Sequence, residues 1–475
     1  MRTHKFVVLL CLSLCWGSRE AALTAQQATP PPAVEGWWET GLNTGALTLR
    51  LELHLTRSAD GSLAATMKSI DQGGAELPIA AVTLADRTLT VNVRGGTTGF
   101  TGAVSADAQQ IAGTFTQGPS HWPLTFQRAS GPLVIAHAQD PKPPFPYREE
   151  DVSINSADGV RLAGTLTRPP GDGPFAAVVL VGGSGPNDRN EDIVGHKVFL
   201  LLADTLTRRG VAVLRMDKRG IGKPTGSFPA ATTMDFVHDV EADMDYLKTR
   251  PDIDAHRIGL IGHSEGGMIA PLVAGERQDV AFVVMLAGPG RRGDEILIEQ
   301  NRDIAAASGA PPEALATMEK NQRTLFGIIE STSAMDEMTA KVQAAVAAGS
   351  LPAADYAASL ARLTAPWMRG FLTLDPATYL PKMKCPVLAL IGSKDLQVPS
   401  RENVPAIQAA LAGNSDVQVK EMPGLNHLFQ TATTGLPAEY APIDETMSPA
   451  VLSLIGDWVV ARTTKKTPGR LQRFS

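Results

Sequence analysis

The stretch Arg257-Ile258-Gly259-Leu260-Ile261-Gly262-His263-Ser264-Glu265-Gly266-Gly267 decides the fold of most of this 475-residue chain. Its first half is a short apolar run and its second a glycine-rich turn. Behind the turn comes Met268-Ile269-Ala270-Pro271-Leu272-Val273-Ala274, small and apolar, which predicts the start of a buried helix. Strand, turn and helix in that order form part of a βα repeat, and the pattern recurs on both sides. Upstream, the apolar runs Ala176 to Val181 and Val211 to Met216 alternate with helical spacing over Lys197 to Arg209 and Met234 to Lys248. Thr232 or Thr233 is a suitable N-cap for the second helix, and Pro251 stops it. Downstream, strand patterns return at Val280 to Ala287, Cys385 to Ile391 and Val417 to Met422, before an amphipathic helix from Pro449 to Ala461. Such alternation predicts a mostly parallel sheet with helices on both faces, spanning residues 151–290 and 381–463. A hairpin about Ala157-Asp158-Gly159 opens it. Residues 291–380 interrupt it with Ala, Met, Glu and Leu at helical spacing, which predicts a helical cap over the site.

A chain of this length suggests about three units. Residues 30–128 read as short strands between turns, a small all-β meander or barrel. There Leu47, Leu49, Leu51, Leu53 and Leu55 alternate with Thr48, Arg50, Glu52, His54 and Thr56, burying one face and wetting the other. Trp37 and Trp38 open this unit, either as a ligand-binding pair or, the reading their bulk favours, as plugs of its core. Residues 129–150 carry five prolines and read as an extended, semi-rigid linker. Residues 1–25 read as an export signal: Arg2 and Lys5, the apolar run Phe6 to Trp16, then Ala21, Ala22 and Ala25. The run is too short to span a bilayer, so a secreted or periplasmic protein with no integral membrane span is expected. Removing the signal takes away three basic residues and one acidic, changing the net charge from −6 to −8, and leaves Cys385 as the only cysteine. No basic stripe lies along any predicted helix, which argues against nucleic acid as a partner. Residues 464–475 read as a solvated basic tail.

Composition alone would produce G-x-S-x-G about 0.2 times in such a chain, so the string needs its context. A strand before it and a helix after it make Ser264 a candidate nucleophile on a sharp turn. The order of partners then has to be serine, acid, histidine, and only one of the nine histidines follows Ser264. It is His427, just past the last predicted strand. The acid belongs after the preceding strand, where Gly392-Ser393-Lys394-Asp395 offers Asp395; Glu421 and Asp444 are its rivals. Two backbone donors for a developing oxyanion are expected from Glu265 and from the loop Gly182-Gly183-Ser184-Gly185-Pro186, with Ser184 preferred and Gly183 the alternative. That loop lacks the lysine and spacing of a phosphate-binding loop. Asp217-Lys218-Arg219-Gly220 reads as a turn stabilised by a local ion pair, and the scattered histidines form no metal-binding pattern, so neither metal nor cofactor is expected. Trp367 and Phe371 are candidates for lining a substrate pocket, with helical core the competing reading.

The segments GGSGPNDRNED, LRMDKRGIG, RIGLIGHSEGGMIAP, VVMLAGPG with GDEILIEQ, CPVLALIGSKDLQVP and GLNHLF are co-linear over residues 151–461. Together they resemble the secreted bacterial α/β-hydrolase esterases often grouped with serine aminopeptidase-like hydrolases. DQGGAELP and GTFTQG are similar to the β-rich N-terminal domain that members often carry. The resemblance implies an α/β-hydrolase fold with Ser264, Asp395 and His427 as triad and the GGSGP loop as oxyanion site. Gly182, where many relatives have histidine, and Pro224, where serine is usual, depart from the pattern. The expected activity is hydrolysis of a small carboxylic ester through an acyl-enzyme. Two alternatives stay open: a peptidase using the same residues, with cap acids such as Asp294, Glu295 and Glu299 meeting a free amine, or an accessory hydrolase whose β-domain binds a glycan, lipid or wall polymer. The sequence sets no oligomeric state.

Overall fold

The computed structural model describes residues 32–43, 48–58, 60–70, 75–93, 96–133, 136–352, 360 and 363–464. The expected signal at residues 1–25, Leu47 and the basic tail from residue 465 lie outside these. Nine antiparallel strands form the N-terminal sheet: β1 (Gly36–Asn43), β2 (Thr48–Arg57), β3 (Leu63–Ser69), β4 (Ala75–Leu77), β5 (Ile79–Ala85), β6 (Thr88–Val93), β7 (Thr98–Val104), β8 (Gln110–Gln117) and β9 (Ser120–Ala129). Their order is β4-β3-β2-β1-β9-β8-β7-β6-β5, and β3 curls round to approach β5, so the sheet is nearly a barrel. The leucine alternation does what a period of two requires: Leu51, Leu53 and Leu55 are buried around Trp38, Phe100 and Phe126. Trp38 plugs this core and donates from Nε1 to the Val34 carbonyl at 2.8 Å. Trp37, one residue before it, faces the other way and stacks on His54 at 3.8 Å. Glu52 breaks the wet-face expectation. It is buried because it accepts a 2.6 Å hydrogen bond from the Leu133 N–H of the following segment.

The second sheet has eight strands in the order β10-β11-β15-β12-β16-β17-β18-β19. β10 (Arg148–Asn155) and β11 (Arg161–Arg168) are the expected hairpin, antiparallel to each other and to β15 (Val211–Met216). From β15 through β12 (Phe175–Val181), β16 (Ile253–His263), β17 (Val283–Leu286), β18 (Val387–Gly392) and β19 (Val417–Met422) every pairing is parallel. A two-stranded ribbon, β13 (Asp192–Ile193) and β14 (His196–Lys197), follows β12. Parallel strands are buried on both faces, so their side chains divide between two cores. Ala177, Val179 and Val181 point to the core shared with α2 (Thr233–Thr249) and α3 (Gly266–Glu276). Val178 and Leu180 point to the opposite core, under α1 (Val198–Thr207). Helix α2 starts on Thr232, whose hydroxyl accepts from the Asp235 N–H while the Asp235 carboxylate caps Thr232 in return.

The interruption is helical, as expected: α4 (Gly293–Ala307), α5 (Pro312–Glu330), α6 (Met335–Ala347) and α7 (Pro366–Thr373). These helices enclose a small core of their own about Phe326, Ile329 and Met338. Helix α8 (Ser400–Ala410) then returns to the α2 face and α9 (Pro449–Thr463) to the α1 face. Among the described residues no helix is long and apolar enough to cross a membrane. The result is an α/β-hydrolase fold with a helical cap behind a small β-domain. Loops that could carry chemistry gather at the carboxyl ends of the parallel strands.

Candidate active site

Ser264 sits between β16 and α3 at φ 54°, in the left-handed region that a residue with a Cβ rarely adopts. The surroundings impose it. Its N–H donates to the Leu286 carbonyl at 2.8 Å, and its carbonyl accepts from the Gly267 N–H at 2.9 Å. The neighbouring glycines serve close approach: a Cβ on Gly262 would stand 1.9 Å from the Gly266 oxygen, and one on Gly266 would stand 1.9 Å from the Val181 oxygen. No larger residue leaves the turn this tight, and the tightness lifts the Ser264 hydroxyl clear of the backbone.

His427 and Asp395 come from the loops after β19 and β18. His427 Nδ1 lies 2.8 Å from Asp395 Oδ2, and both residues are buried. A carboxylate only accepts, so Nδ1 carries the proton and Nε2 of the neutral ring is the free base. The other carboxylate oxygen is held by two main-chain donors, Gln397 N–H at 2.9 Å and Val398 N–H at 2.8 Å. Of the rival acids, Glu421 is exposed and accepts from the Ser400 hydroxyl, while Asp444 faces His137. Ser264 and His427 line one cavity of about 350 Å³, together with Gly183, Ser184, Ile193, Gln397 and Tyr440.

The loop after β12 covers Ser264 closely. A Cβ on Gly183 would lie 3.1 Å from Ser264 Cβ. The Gly183 N–H is already engaged, donating to Glu191 Oε1 at 2.6 Å, which leaves the Ser184 N–H as this loop's donor. The Gly183 carbonyl accepts from Lys218 Nζ at 2.5 Å and Asn187 Nδ2 at 2.8 Å. In a trans peptide the N–H points opposite the carbonyl, so these two grips fix the direction of the Ser184 N–H. Lys218 is in turn held 3.3 Å from Glu265, the residue after Ser264. The Glu265 carboxylate also accepts from Thr233 Oγ1 at 2.8 Å and from Trp367 Nε1 at 2.7 Å, tying the cap to the sheet. This set of groups can present a hydroxyl with its base to a carbonyl carbon and two backbone donors to the oxygen of the same carbonyl.

The family model described as "Alpha/beta hydrolase family" matches residues 178–441, more than half of the sequence. The chain belongs to the alpha/beta hydrolase family. Over 318 residues it is 27% identical to esterase EstD of Thermotoga maritima, covering 67% of this chain and 68% of that one. It is similar to the solved structure of the Pyrococcus furiosus esterase Pf2001, with 17% identity and a TM-score of 0.43 over 67% of this chain and 92% of that one. It is also similar to Est1E from Butyrivibrio proteoclasticus with ferulic acid bound, at 19% identity and a TM-score of 0.40 over 65% and 96% of the two chains.

Two expectations need correction in this α/β hydrolase. Trp367 and Phe371 do not line the cavity around Ser264. The Trp367 indole N–H is drawn to the buried Glu265 carboxylate, and Phe371, stacked 5.0 Å from it, is buried beneath the cap. Nor does a local ion pair hold residues 217–220. Asp217 pairs with Arg189 at 2.7 Å, Arg219 with Asp239 at 2.6 Å and Lys218 with Glu265. Charges at this edge of the sheet are largely shielded from water, so each needs a partner, and neighbouring loops supply it. Sequence reasoning also passed over Glu191 and His263. His263 Nδ1 is 3.0 Å from Glu191 Oε1, and its Nε2 is 3.0 Å from the His427 carbonyl. Burial alone pushes the His263 pKa down; the Glu191 charge and hydrogen bonds to Glu191 and His427 outweigh it and raise the pKa above the ordinary histidine value. Among the described residues no group of His, Cys, Asp and Glu could hold a metal.

Proposed function

We propose that this α/β hydrolase is a serine carboxylesterase. The observation that carries the reading is the Asp395–His427 hydrogen bond at 2.8 Å, on a histidine that shares its cavity with a serine held at φ 54°. His427 Nε2 takes the proton of the Ser264 hydroxyl as its oxygen attacks the ester carbonyl. The carbonyl oxygen becomes an oxyanion and is met by the N–H groups of Ser184 and Glu265. Collapse returns the proton from His427 to the departing alcohol and leaves an acyl-Ser264 ester. Water activated by the same imidazole then releases the acid. Asp395 keeps the ring in one tautomer throughout and balances its transient positive charge.

Likeness to an esterase over two thirds of the chain supports an ester as substrate. The amide alternative would draw on acids in the cap for a substrate amine. None of Asp294, Glu295 and Glu299 borders the cavity, and each faces an arginine: Arg292 at 2.8 Å, Arg323 at 2.9 Å and Arg291 at 3.5 Å. A fluorophosphonate probe is expected to label Ser264, and Ser264→Ala to abolish both labelling and turnover of short-chain nitrophenyl esters. Labelling that persists in Ser264→Ala would overturn the assignment. Faster turnover of aminoacyl anilides than of esters would move it to the peptidase.

A further inference from the structure

Behind the nucleophile lie two buried ionisable groups that the reaction above does not use. Glu191 is fully buried and sits at φ 48°, a backbone conformation that persists only when its surroundings over-determine it. Its Oε1 accepts from the Gly183 N–H at 2.6 Å and faces His263 Nδ1 at 3.0 Å, while its Oε2 has no partner among the described residues. His263, also buried, directs Nε2 at the His427 carbonyl, 3.0 Å away. A carboxylate and a carbonyl can only accept, so both contacts are hydrogen bonds only if both ring nitrogens carry protons. That makes His263 an imidazolium. A lone charge in this position would be strongly disfavoured, but the pair is neutral as a whole.

We propose that Glu191 and His263 form a buried carboxylate–imidazolium pair that positions the oxyanion loop and the catalytic base together. The proposal rests on the roles given above to Ser264, His427 and Ser184. On one side the pair holds the Gly183 N–H. With Lys218 and Asn187 on the Gly183 carbonyl, both polar groups of that residue are fixed, and the Ser184 N–H has one orientation. On the other side the same imidazolium holds the main chain of His427, whose ring centroid is 4.9 Å from that of His263. One ring therefore sets the spacing between the base and the donor that must act on the same tetrahedral centre. Both border the cavity around Ser264, but at 0% and 2% exposure they present almost no surface to it and act as positioning residues, through the loop and the base that they hold. The upward direction of the His263 pKa, against the effect of its burial, agrees with an imidazolium.

Glu191→Gln separates charge from shape. The amide oxygen can still accept both bonds at the Oε1 position, but a neutral His263 can donate from one nitrogen only, and the His427 carbonyl loses its donor. In protein labelled with ¹⁵N-histidine near neutral pH, the His263 ring, assigned by its loss in His263→Gln, is expected to carry two bonded protons in the native enzyme and one in Glu191→Gln. On a short-chain nitrophenyl ester, kcat should fall about 10²-fold with KM within about twofold, the mark of misplaced groups rather than weaker binding. The double variant should lose no more than the worse single one, because the two residues act as a unit. Glu191→Asp keeps the charge but withdraws the carboxylate by one methylene, and should keep the imidazolium while still losing kcat. A neutral His263 in the native enzyme overturns the proposal. So does a wild-type kcat in Glu191→Gln once that proton is gone, or a loss of activity that only tracks loss of folded protein. Failure of the native enzyme to turn over esters or to be labelled at Ser264 would instead overturn the hydrolase assignment and leave the imidazolium test standing.

Discussion

Two adjacent glycines at the end of β12 differ in what one methyl group would meet. A Cβ on Gly182 has nothing nearer than the Asn187 side chain at 3.7 Å, an ordinary contact. A Cβ on Gly183 would press on Ser264 Cβ at 3.1 Å and Glu191 Oε1 at 3.2 Å, both on residues whose backbone is held at positive φ. Gly182→Ala is therefore expected to leave kcat unchanged. Gly183→Ala should lower it by about 10- to 10²-fold by displacing the nucleophile or the loop that covers it. Steady-state rates on one nitrophenyl ester check the pair, and equal behaviour of the two variants would refute the close packing. Ser264, Asp395 and His427 could be put forward from the sequence as candidates because the chemistry proposed for them constrains their types and their order. Glu191, His263 and Lys218 could not. His263 bonds to residues 72 and 164 positions away, and Lys218 to one 47 away, across loops whose mutual register no local pattern encodes. Nor does any local pattern decide between pocket wall and helical core for Trp367, whose indole N–H donates to the buried Glu265 carboxylate.

At the scale of elements, helix α4 joins the cap to the sheet and carries a carboxyl group in an unfavourable setting. Glu299 is 4% exposed, has Arg291 at 3.5 Å as a weak partner, and leaves Oε2 without one among the described residues. Burial first, then the charge of Glu402, push its pKa up to about 7. An acid that binds its proton more tightly when folded than when unfolded adds stability that is fully present below its unfolded pKa, near 4.5, and is lost as pH rises through the folded value. The native protein should accordingly lose stability between these two values, and Glu299→Gln should lose less. Urea midpoints for both proteins, measured at about pH 5 and about pH 8, test this; parallel falls would place the cause elsewhere. The existence of α4 followed from its spacing of apolar residues, as did the whole strand–helix alternation, because a sheet buried on both faces writes its pattern locally. Val211–Met216 and Val417–Met422 even match their predicted bounds, since turn residues flank them closely. The raised pKa of Glu299 comes from its burial in the folded chain and then from Glu402, a residue of α8, and has no local signature.

Across the whole molecule, the proline-rich segment between the β-domain and the catalytic sheet binds to the sheet's own layers. Residues 136–147 contain no helix or strand, in keeping with their composition, yet several of their side chains anchor to those layers. The His137 ring stacks on His196 at 3.7 Å, the Tyr147 hydroxyl donates to Asp204 at 2.9 Å, and the Gln139 side chain bonds the main chain before α9. Gln139 is the firmest of these. Its oxygen accepts from the N–H groups of Thr446 at 2.6 Å and Met447 at 3.1 Å, and its nitrogen donates to the Met447 carbonyl at 2.8 Å. Both partners are buried, so truncating Gln139 strands polar groups that water reaches poorly. Gln139→Ala is expected to lower stability by about 1–3 kcal/mol. The anchor also leads toward the site: Thr446 Oγ1 lies 3.0 Å from His196 Nδ1, and His196 Nε2 lies 2.8 Å from the carbonyl of Tyr440, which borders the cavity. A deletion made to ask what the β-domain binds must therefore end before residue 136. If it removes His137 and Gln139 as well, lost activity would report a loosened Tyr440 wall rather than a missing domain. Chemical unfolding of Gln139→Ala beside ester kinetics separates the two: a lower midpoint with kcat retained marks an anchor, and an unchanged midpoint means that the segment is held by other contacts.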